Sequence, residues 1–218
     1  HAPSAPSPPA PIRAPADTSS KAAHLHRIVI VGGGAGGLEL ATQLGNAFED
    51  THRAKVVLVD KSPTHLWKPL LHEVAAGSMD ANANQLEYVA QSRWHHFEFQ
   101  QGELMGLDRA RKTITVAEVY DEEGVDIFPQ RDIGYDTLVL AIGSITNFFG
   151  TPGAARYAIA VDTVTEAEHF RRRLVAACIR TQNRMDESSP TERPQVDIVI
   201  IGGGATGVEM AGAIAEVA

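Results

Sequence analysis

The sequence predicts an α/β protein, and two features of its 218 residues lead to that class. Short β-branched and apolar runs, at residues 26–31, 54–60 and 135–144, alternate with longer stretches of helical periodicity. The run at 26–31 and a further apolar run at 198–201 each lead through a glycine-rich turn into a helical pattern. Strands that alternate with helices in this way build a parallel sheet.

The bulk composition is that of a globular protein, with 44% hydrophobic and 21% charged residues. The formal net charge of −8 argues against a nucleic acid partner, which is usually met by a basic face. No apolar run reaches the ~20 residues that a membrane span requires. Cys178 is the only cysteine, so no internal disulfide can form, which is typical of a reducing compartment.

The two ends of the sequence differ from its middle. Residues 1–20 hold half of the 12 prolines and predict a disordered arm, which we extend to residue 24. The last residues, GVEMAGAIAEVA, follow a helical pattern that runs to Ala218 without a stop signal. We therefore expect the sequence to be the amino-terminal part of a longer protein.

The first structural unit is predicted over residues 26–60. A strand at 26–31 is followed by a glycine turn, a helix from about Gly36 to Asn46, and a second buried strand at 54–60. This is a complete βαβ unit, the context in which a glycine pattern becomes evidence. A short helix is predicted over 69–77, because Pro69 suits a first helical turn and Gly77 suits a C-terminal cap.

The middle of the chain predicts an inserted β-hairpin. Residues 97–108 and 112–120 alternate or are β-branched, and a charged turn separates the latter from a strand within 135–144. Residues 165–180 predict an amphipathic helix with Ala167, Phe170, Leu174 and Cys178 on one stripe, which makes Cys178 a core residue. Residues 182–194 are polar and predict a loop before the second strand, glycine turn and helix.

Both glycine patterns fit G-x-G-x-x-G. The first glycine permits a tight turn, the second lets a pyrophosphate approach the backbone, and the third lets helix and strand pack closely. One isolated match is weak evidence, because glycine turns often serve only packing. Here each copy follows an apolar strand and the copies stand 170 residues apart. The copies comprise Gly32, Gly34 and Gly37, then Gly202, Gly204 and Gly207.

Asp60 stands 23 residues after Gly37, near the ~20 expected for the acid that bonds a ribose hydroxyl. The alternative interpretation of Asp60 is an acidic residue at the end of a strand without a role in binding. We interpret the chain as binding two dinucleotides. Two such sites are most useful when a nicotinamide passes electrons to a flavin.

The spacing of the two motifs resembles that of flavoproteins with two dinucleotide-binding domains, the first for FAD and the second for NAD(P)H. Within them, THLWKPLLHEVAAGSMD (64–80), GGGAGGLELATQL, GGGATGVEMAG and YDTLVLAIGS are similar to type II NADH:quinone oxidoreductases. These are single-subunit respiratory dehydrogenases that do not pump protons. The disulfide-reductase branch carries a redox cysteine pair near HLWKPLLHE, and its absence here excludes thiol–disulfide chemistry at that position.

The resemblance, which covers residues 25–218, implies two Rossmann-like domains. Residues 25–150 would form the first part of an FAD domain, 151–194 a connecting helix and loop, and 195–218 the start of a truncated NAD(P)H domain. It implies hydride transfer from NADH to FAD and then two electrons to a membrane quinone. It also implies a peripheral protein on the cytoplasmic side of the inner membrane, attached through a carboxy-terminal region, and allows a homodimer.

Carried over by resemblance, Lys68 and Glu209 would form an ion pair near the flavin N5, and His72 would lie near the isoalloxazine ring. The alternative for Lys68 is a solvated surface lysine, and for Glu209 a carboxylate that complements the helix dipole. The alternative for His72 is a structural histidine. No metal site is expected, since His95 and His96 lack ligand spacing. The expected cofactor-binding residues are Gly32, Gly34, Ala35, Gly36, Gly37, Asp60, Lys61, Lys68, Ala141, Gly143, Ser144, Gly202, Gly204, Ala205, Thr206, Gly207 and Glu209.

Two other functions stay open at this point. An enzyme of the same architecture could use another acceptor, such as a ferredoxin or oxygen, although HLWKPLLHE favours quinone. The 218 residues could also be an inactive truncated product, and we expect them alone not to turn over. NADH rather than NADPH is implied only by the resemblance.

Overall fold

The computed structural model describes residues 25–51, 53–185 and 195–217. The arm predicted over 1–24 and the loop residues 186–194 lie outside the described residues. The strands are β1 (His26–Val31), β2 (Ala54–Asp60), β3 (Thr64–His65), β4 (Leu86–Glu87), β5 (Glu98–Gln101), β6 (Leu104–Asp108), β7 (Thr113–Val116), β8 (Val119–Tyr120), β9 (Asp126–Phe128), β10 (Arg131–Gly134) and β11 (Thr137–Leu140). The helices are α1 (Ala35–Phe48), α2 (Leu71–Ala76), α3 (Tyr88–Trp94), α4 (Ala154–Tyr157), α5 (Val164–Met185) and α6 (Ala205–Val217).

A four-stranded parallel sheet in the order β11-β1-β2-β5 forms the centre of the fold. The predicted strands 26–31 and 54–60 are confirmed with the same bounds. Because all three pairings are parallel, the carboxyl ends of the four strands meet at one edge. The first glycine turn, Asp60 and Ala141 all follow strand ends at that edge.

The inserted β region covers one face of this sheet. Strands β10, β7 and β6 form an antiparallel sheet, and β8 and β9 form a separate hairpin with a charged turn. Side chains Ile114, Val116 and Ile133 of the antiparallel sheet pack against buried valines of β1 and β2. Helices α1 and α3 cover the opposite face with Leu38, Ala41 and Tyr88. The layers are therefore antiparallel sheet, parallel sheet and helices.

A third apolar cluster joins α2, α5 and α6. It contains Leu71, Val74 and Ala75 of α2, Ala167 of α5, and Met210 and Ile214 of α6, together with Ala81. The short helix α2 follows a 3₁₀ turn at Lys68–Leu70 and ends at Gly77, whose φ of 92° confirms the predicted C-terminal cap. Helix α2 therefore connects the first glycine unit to the helix of the second.

Cys178 is exposed, so its prediction as a core residue is wrong. Helix α5 has 22 residues, about 33 Å, whereas α2 has six, about 9 Å. The short helix can cover only one end of α5, where Ala167 is fully buried; Phe170 and Leu174 are half-buried, and Cys178 at the far end of the stripe is exposed. Helix α5 also continues to Met185, so the predicted loop begins later than residue 182.

Two strand predictions also differ from the structure. Residues 98–101 were expected in the hairpin, but they pair in parallel with β2 as the fourth strand of the central sheet. Residues 198–201 form no strand, and Val199 and Ile201 are 84% and 88% exposed. A strand needs a hydrogen-bonded neighbour, and none of the described strands pairs with this segment. Among the described residues, no helix is long and apolar enough to span a membrane.

Candidate functional site

The first glycine turn brings β1, β11 and α1 into close contact. Gly32 has φ +102°, and a Cβ at this position would overlap the carbonyl group of Ala141. A Cβ on Gly37 would overlap the carbonyl oxygen of Gly32. These two positions therefore require glycine, one for its backbone conformation and both for the close approach.

The amino-terminal end of α1 is open to solvent. Gly34, Ala35 and Gly36 are exposed, and nothing lies within 4 Å of the position of a Cβ on Gly34 or Gly36. Gly34 is the N-cap of α1, and no side chain hydrogen-bonds the first turn there. The N–H groups of that turn are thus available to an anion, and a dinucleotide pyrophosphate is such an anion.

Asp60 lies at the end of β2, directly beside this turn. Its Oδ2 accepts a hydrogen bond from the Gly33 N–H at 2.6 Å, and its Oδ1 accepts one from the Ser62 N–H at 2.8 Å. A carboxylate has about four acceptor sites, so sites remain for a ribose hydroxyl. Gly32, Asp60 and Lys61 line one cleft of about 290 Å³, together with Val31, Val59, Gly102, Glu103, Leu104 and Ile142.

Two buried residues beside the same turn are not among the site residues that the sequence predicted. The Tyr88 hydroxyl donates a hydrogen bond to the Gly33 carbonyl at 2.6 Å, and the Tyr88 side chain is buried. His65 is 8% exposed, and burial lowers its pKa although the nearby Asp60 acts in the opposite direction. Only the pairing of distant segments reveals these contacts, since Tyr88 lies 55 residues after Gly33.

Lys68 contacts the turn that follows β11. The Ala141 N–H donates to the Val31 carbonyl at 2.7 Å, and Gly143 has φ +69°. The Lys68 Nζ donates to the Ser144 carbonyl oxygen at 3.2 Å. The structure therefore brings together Lys68 and the 141–144 turn, which the sequence predicted as cofactor-binding residues in two separate segments.

The ion pair expected between Lys68 and Glu209 is not formed within 4.0 Å in the described part of the chain. Lys68 is directed to Ser144, and Glu209 lies against a different residue of the first unit. The Nδ1 atom of His72 lies 3.5 Å from Glu209 Oε2 and 2.7 Å from the Pro69 carbonyl oxygen. The histidine on α2, rather than the lysine before it, is the partner of the carboxylate on α6.

The second glycine turn repeats the first in its local geometry. Gly202 has φ +116°, and a Cβ on Gly207 would overlap the carbonyl oxygen of Gly202. The Val208 N–H donates to the Gly204 carbonyl at 3.1 Å, as the Leu38 N–H does to Gly34 at 2.9 Å. Ala205 and Thr206 are exposed at the open end of α6.

A parallel sheet with an open helix amino terminus at its carboxyl edge, and a second turn of the same form, define a dinucleotide-binding α/β protein. The pyridine nucleotide-disulphide oxidoreductase family model matches residues 26–218. The chain belongs to this family. Its single cysteine, exposed on α5, means that the described fold contains no redox cysteine pair.

The chain is similar to type II NADH:quinone oxidoreductases. It is 45% identical over 195 residues to the enzyme of Haemophilus influenzae, a match that covers 85% of this chain and 44% of that protein. It is 31% identical over 194 residues to the enzyme NdhA of Mycobacterium tuberculosis, covering 88% of this chain and 38% of that protein. The chain thus spans less than half the length of these relatives.

Solved structures show the same fold. NDH2 of Plasmodium falciparum superposes with a TM-score of 0.66 and 22% identity, over 88% of this chain and 37% of that one. The water-forming NADH oxidase of Lactobacillus brevis superposes with a TM-score of 0.63 and 18% identity, over 87% of this chain and 37% of that one. Their likeness concerns the fold alone.

Proposed function

We propose that the protein is an FAD-dependent NADH:quinone oxidoreductase. The observation that carries this proposal is that one chain holds two phosphate-binding turns of the same geometry, joined through α2 by the contact of His72 with Glu209. Two nucleotide sites that share a bridging helix are suited to electron transfer between their ligands. The names of the relatives supply the donor and acceptor, NADH and quinone.

The first turn fits FAD. The N–H groups at the exposed residues Gly34 to Gly36 would hold the pyrophosphate, and Asp60 would accept from a ribose hydroxyl in the adjoining cleft. Lys68 and Ser144, which are hydrogen-bonded to each other, would lie on the flavin side. The observation that supports the fit is the empty space at the Cβ positions of Gly34 and Gly36, where larger residues would obstruct a phosphate.

The second turn fits NADH. Gly202, Gly204 and Gly207 repeat the geometry of the first turn, and Ala205 and Thr206 leave the end of α6 open. Glu209 lies in the first turns of the same helix, so the acid that touches His72 belongs to the nicotinamide unit. The proposed domains are therefore 25–150 for FAD and 195–218 for the start of the NADH unit.

A bound FAD would supply the hydride acceptor for NADH and the two-electron donor for a quinone, which would also take up two protons. The residues contribute position, charge and a proton site. The Lys68 ammonium, held by the Ser144 carbonyl, favours negative charge near it. Glu209, 47% exposed and beside His72, can hold a proton and deliver it at the boundary between the two units.

The remaining parts of the proposal rest on the resemblance. We place the protein at the cytoplasmic face of the inner membrane as a peripheral protein, and we include a homodimer as its assembly. The relatives with mitochondrial or bacterial quinone oxidoreductase names support the membrane quinone as acceptor. Flotation of the full-length protein with lipid vesicles and sedimentation analysis would test the two placements.

The acceptor is the part of the proposal that most needs a direct test. Solved structures with this fold include a putidaredoxin reductase–putidaredoxin complex and a water-forming NADH oxidase, so the fold accommodates several acceptors. We would reduce the full-length, flavin-loaded protein with NADH without oxygen, then add a soluble quinone, following the flavin band near ~450 nm. Bleaching by NADH and recovery with quinone is the expected result. Bleaching followed by recovery only with ferredoxin or oxygen would contradict the quinone, and absence of bound flavin would contradict the first site.

A further inference from the structure

Both backbone polar groups of Gly33 are bound on the side of the turn that faces the protein. Its N–H donates to Asp60 Oδ2 at 2.6 Å, and its carbonyl oxygen accepts from the Tyr88 hydroxyl at 2.6 Å. Gly33 is buried, whereas Gly34, the next residue, is exposed. The boundary between the fixed and the open part of the turn is thus the peptide group that joins these two residues.

The direction of the carbonyl in that peptide group determines the direction of its N–H. The Gly33 carbonyl and the Gly34 N–H belong to the same planar trans peptide, so they point in opposite directions. Because Tyr88 draws the carbonyl towards the core, the Gly34 N–H must point to the opposite, exposed side. This is the side at which the amino terminus of α1 is open and the pyrophosphate is proposed to bind.

Tyr88 is held rigidly enough to impose this orientation. It is the first residue of α3, it is 2% exposed, and its ring stacks on Phe99 with a centroid separation of 4.9 Å. The ring lies so close to Gly33 that a Cβ there would overlap the Tyr88 hydroxyl. Neither the ring nor the turn can shift without disturbing the other.

The ionisation of the neighbouring groups keeps Tyr88 a donor. Burial raises the pKa of Tyr88 above its usual range, and the charge of Asp60 raises it further, so the hydroxyl stays protonated. The ring centroid of His65 is 6.3 Å from that of Tyr88, and burial lowers the pKa of His65 against the opposing effects of Asp60 and of the Gly33 backbone. The Gly33 carbonyl therefore keeps a neutral hydroxyl donor across the working pH range.

We propose that Tyr88 is a positioning residue for the first phosphate-binding turn: its hydroxyl orients the Gly33–Gly34 peptide so that the Gly34 N–H is preset to bind the dinucleotide pyrophosphate. This inference rests on the proposed function in one respect, the assignment of FAD to the first turn. It assigns a role in cofactor binding to a tyrosine that is itself buried.

The test compares cofactor affinity in two matched tyrosine variants of the full-length protein. Tyr88→Phe keeps the ring on Phe99 and removes only the hydroxyl, and Tyr120→Phe removes a hydroxyl from the exposed tyrosine of β8. FAD-free protein would be titrated with FAD and with riboflavin, which lacks the pyrophosphate, by flavin fluorescence. We expect Tyr88→Phe to raise the Kd for FAD by about three- to tenfold, in line with the loss of one buried hydrogen bond.

The outcomes separate this inference from the proposed function. An increase for FAD without a matching increase for riboflavin, with Tyr120→Phe unchanged, supports the role of Tyr88. Equal FAD affinity in Tyr88→Phe and wild type, or an equal loss for both flavins, overturns it while the proposed FAD site stands. If the wild-type chain binds no FAD, the proposed function itself fails and the inference falls with it.

A second variant keeps the inference testable if Tyr88→Phe proves poorly folded. Gly33→Ala leaves Tyr88 intact but places a methyl group against its hydroxyl. Folding of each variant would be checked by thermal unfolding without cofactor. A folded Gly33→Ala protein that binds FAD at least as weakly as expected for Tyr88→Phe supports the orientation mechanism, and one with wild-type affinity overturns it.

Discussion

The Nδ1 atom of His72 lies between two oxygen atoms, 2.7 Å from the Pro69 carbonyl and 3.5 Å from Glu209 Oε2. A carbonyl oxygen only accepts hydrogen bonds, so Nδ1 must carry the proton in this arrangement. The His72 side chain is 14% exposed, and its position is fixed by its own helical turn. A histidine of the first nucleotide unit thus contacts a carboxylate of the second.

Glu209→Gln tests whether this carboxylate moves a proton. The amide keeps the size of the side chain and can accept from His72, but it cannot supply a proton. In the proposed enzyme we expect quinone to reoxidise the NADH-reduced protein about a hundredfold more slowly, measured by stopped-flow absorbance. Glu216→Gln, exposed near the end of the same helix, is the control. A wild-type rate in Glu209→Gln would leave the carboxylate with only a structural role.

Lys68→Met tests the charge that Ser144 positions. The change removes the ammonium and its hydrogen bond to the Ser144 carbonyl but keeps an apolar side chain of similar length. A positive charge near the flavin favours the anionic reduced form, so its loss should make the midpoint potential of the bound flavin more negative, by on the order of 30 mV. Redox titration measures the potential. Lys112→Met, in the turn between β6 and β7, should not change it, and an unshifted Lys68→Met protein would place the lysine away from the flavin.

His65 predicts how stability depends on pH. Burial holds its pKa in the folded protein below the ordinary value of 6.5, so the unfolded chain takes up a proton first as the pH falls. This contribution to stability is therefore complete above pH 6.5 and is lost as the pH falls through the lower pKa of the folded state. One proton limits the slope to about 1.4 kcal/mol per pH unit. Urea unfolding between pH 5 and 8 should show a smaller slope in His65→Gln, and no change in His169→Gln on the exposed side of α5.

Gly37→Ala and Gly36→Ala should have opposite effects on the stability of the cofactor-free protein. A methyl group on Gly37 would overlap the Gly32 carbonyl, and we expect a loss of about 1–3 kcal/mol from this overpacking. Gly36 lies in α1 with open space around the Cβ position, so alanine there should stabilise the helix by about 0.5–1 kcal/mol. Chemical denaturation of both variants measures the difference. Equal effects would mean that the close approach of α1 to the turn is not maintained in solution.

Local sequence determined the elements of the first unit. The apolar runs at 26–31 and 54–60 form strands with the predicted bounds, and Gly77 caps α2 in the left-handed conformation that glycine adopts readily. The glycines of both turns also behave as their spacing predicts, since positive φ and close backbone approach are requirements of the turn itself. These features depend on interactions between residues near each other in the chain.

Tertiary structure decided the features that depend on distant segments. The β-rich pattern of residues 98–101 is compatible with a hairpin and with the central sheet. In the structure these residues pair with β2 and so belong to the central sheet. Periodicity showed that Cys178 shares a stripe with Ala167, but the length of α2 decided which end of the stripe is buried. Lys68 and Ser144, Glu209 and His72, and Gly33 and Tyr88 are 55 to 137 residues apart, and only the packed chain brings them together. Local patterns fix the conformation of a segment, whereas its partners are fixed by the surfaces that the whole fold places beside it.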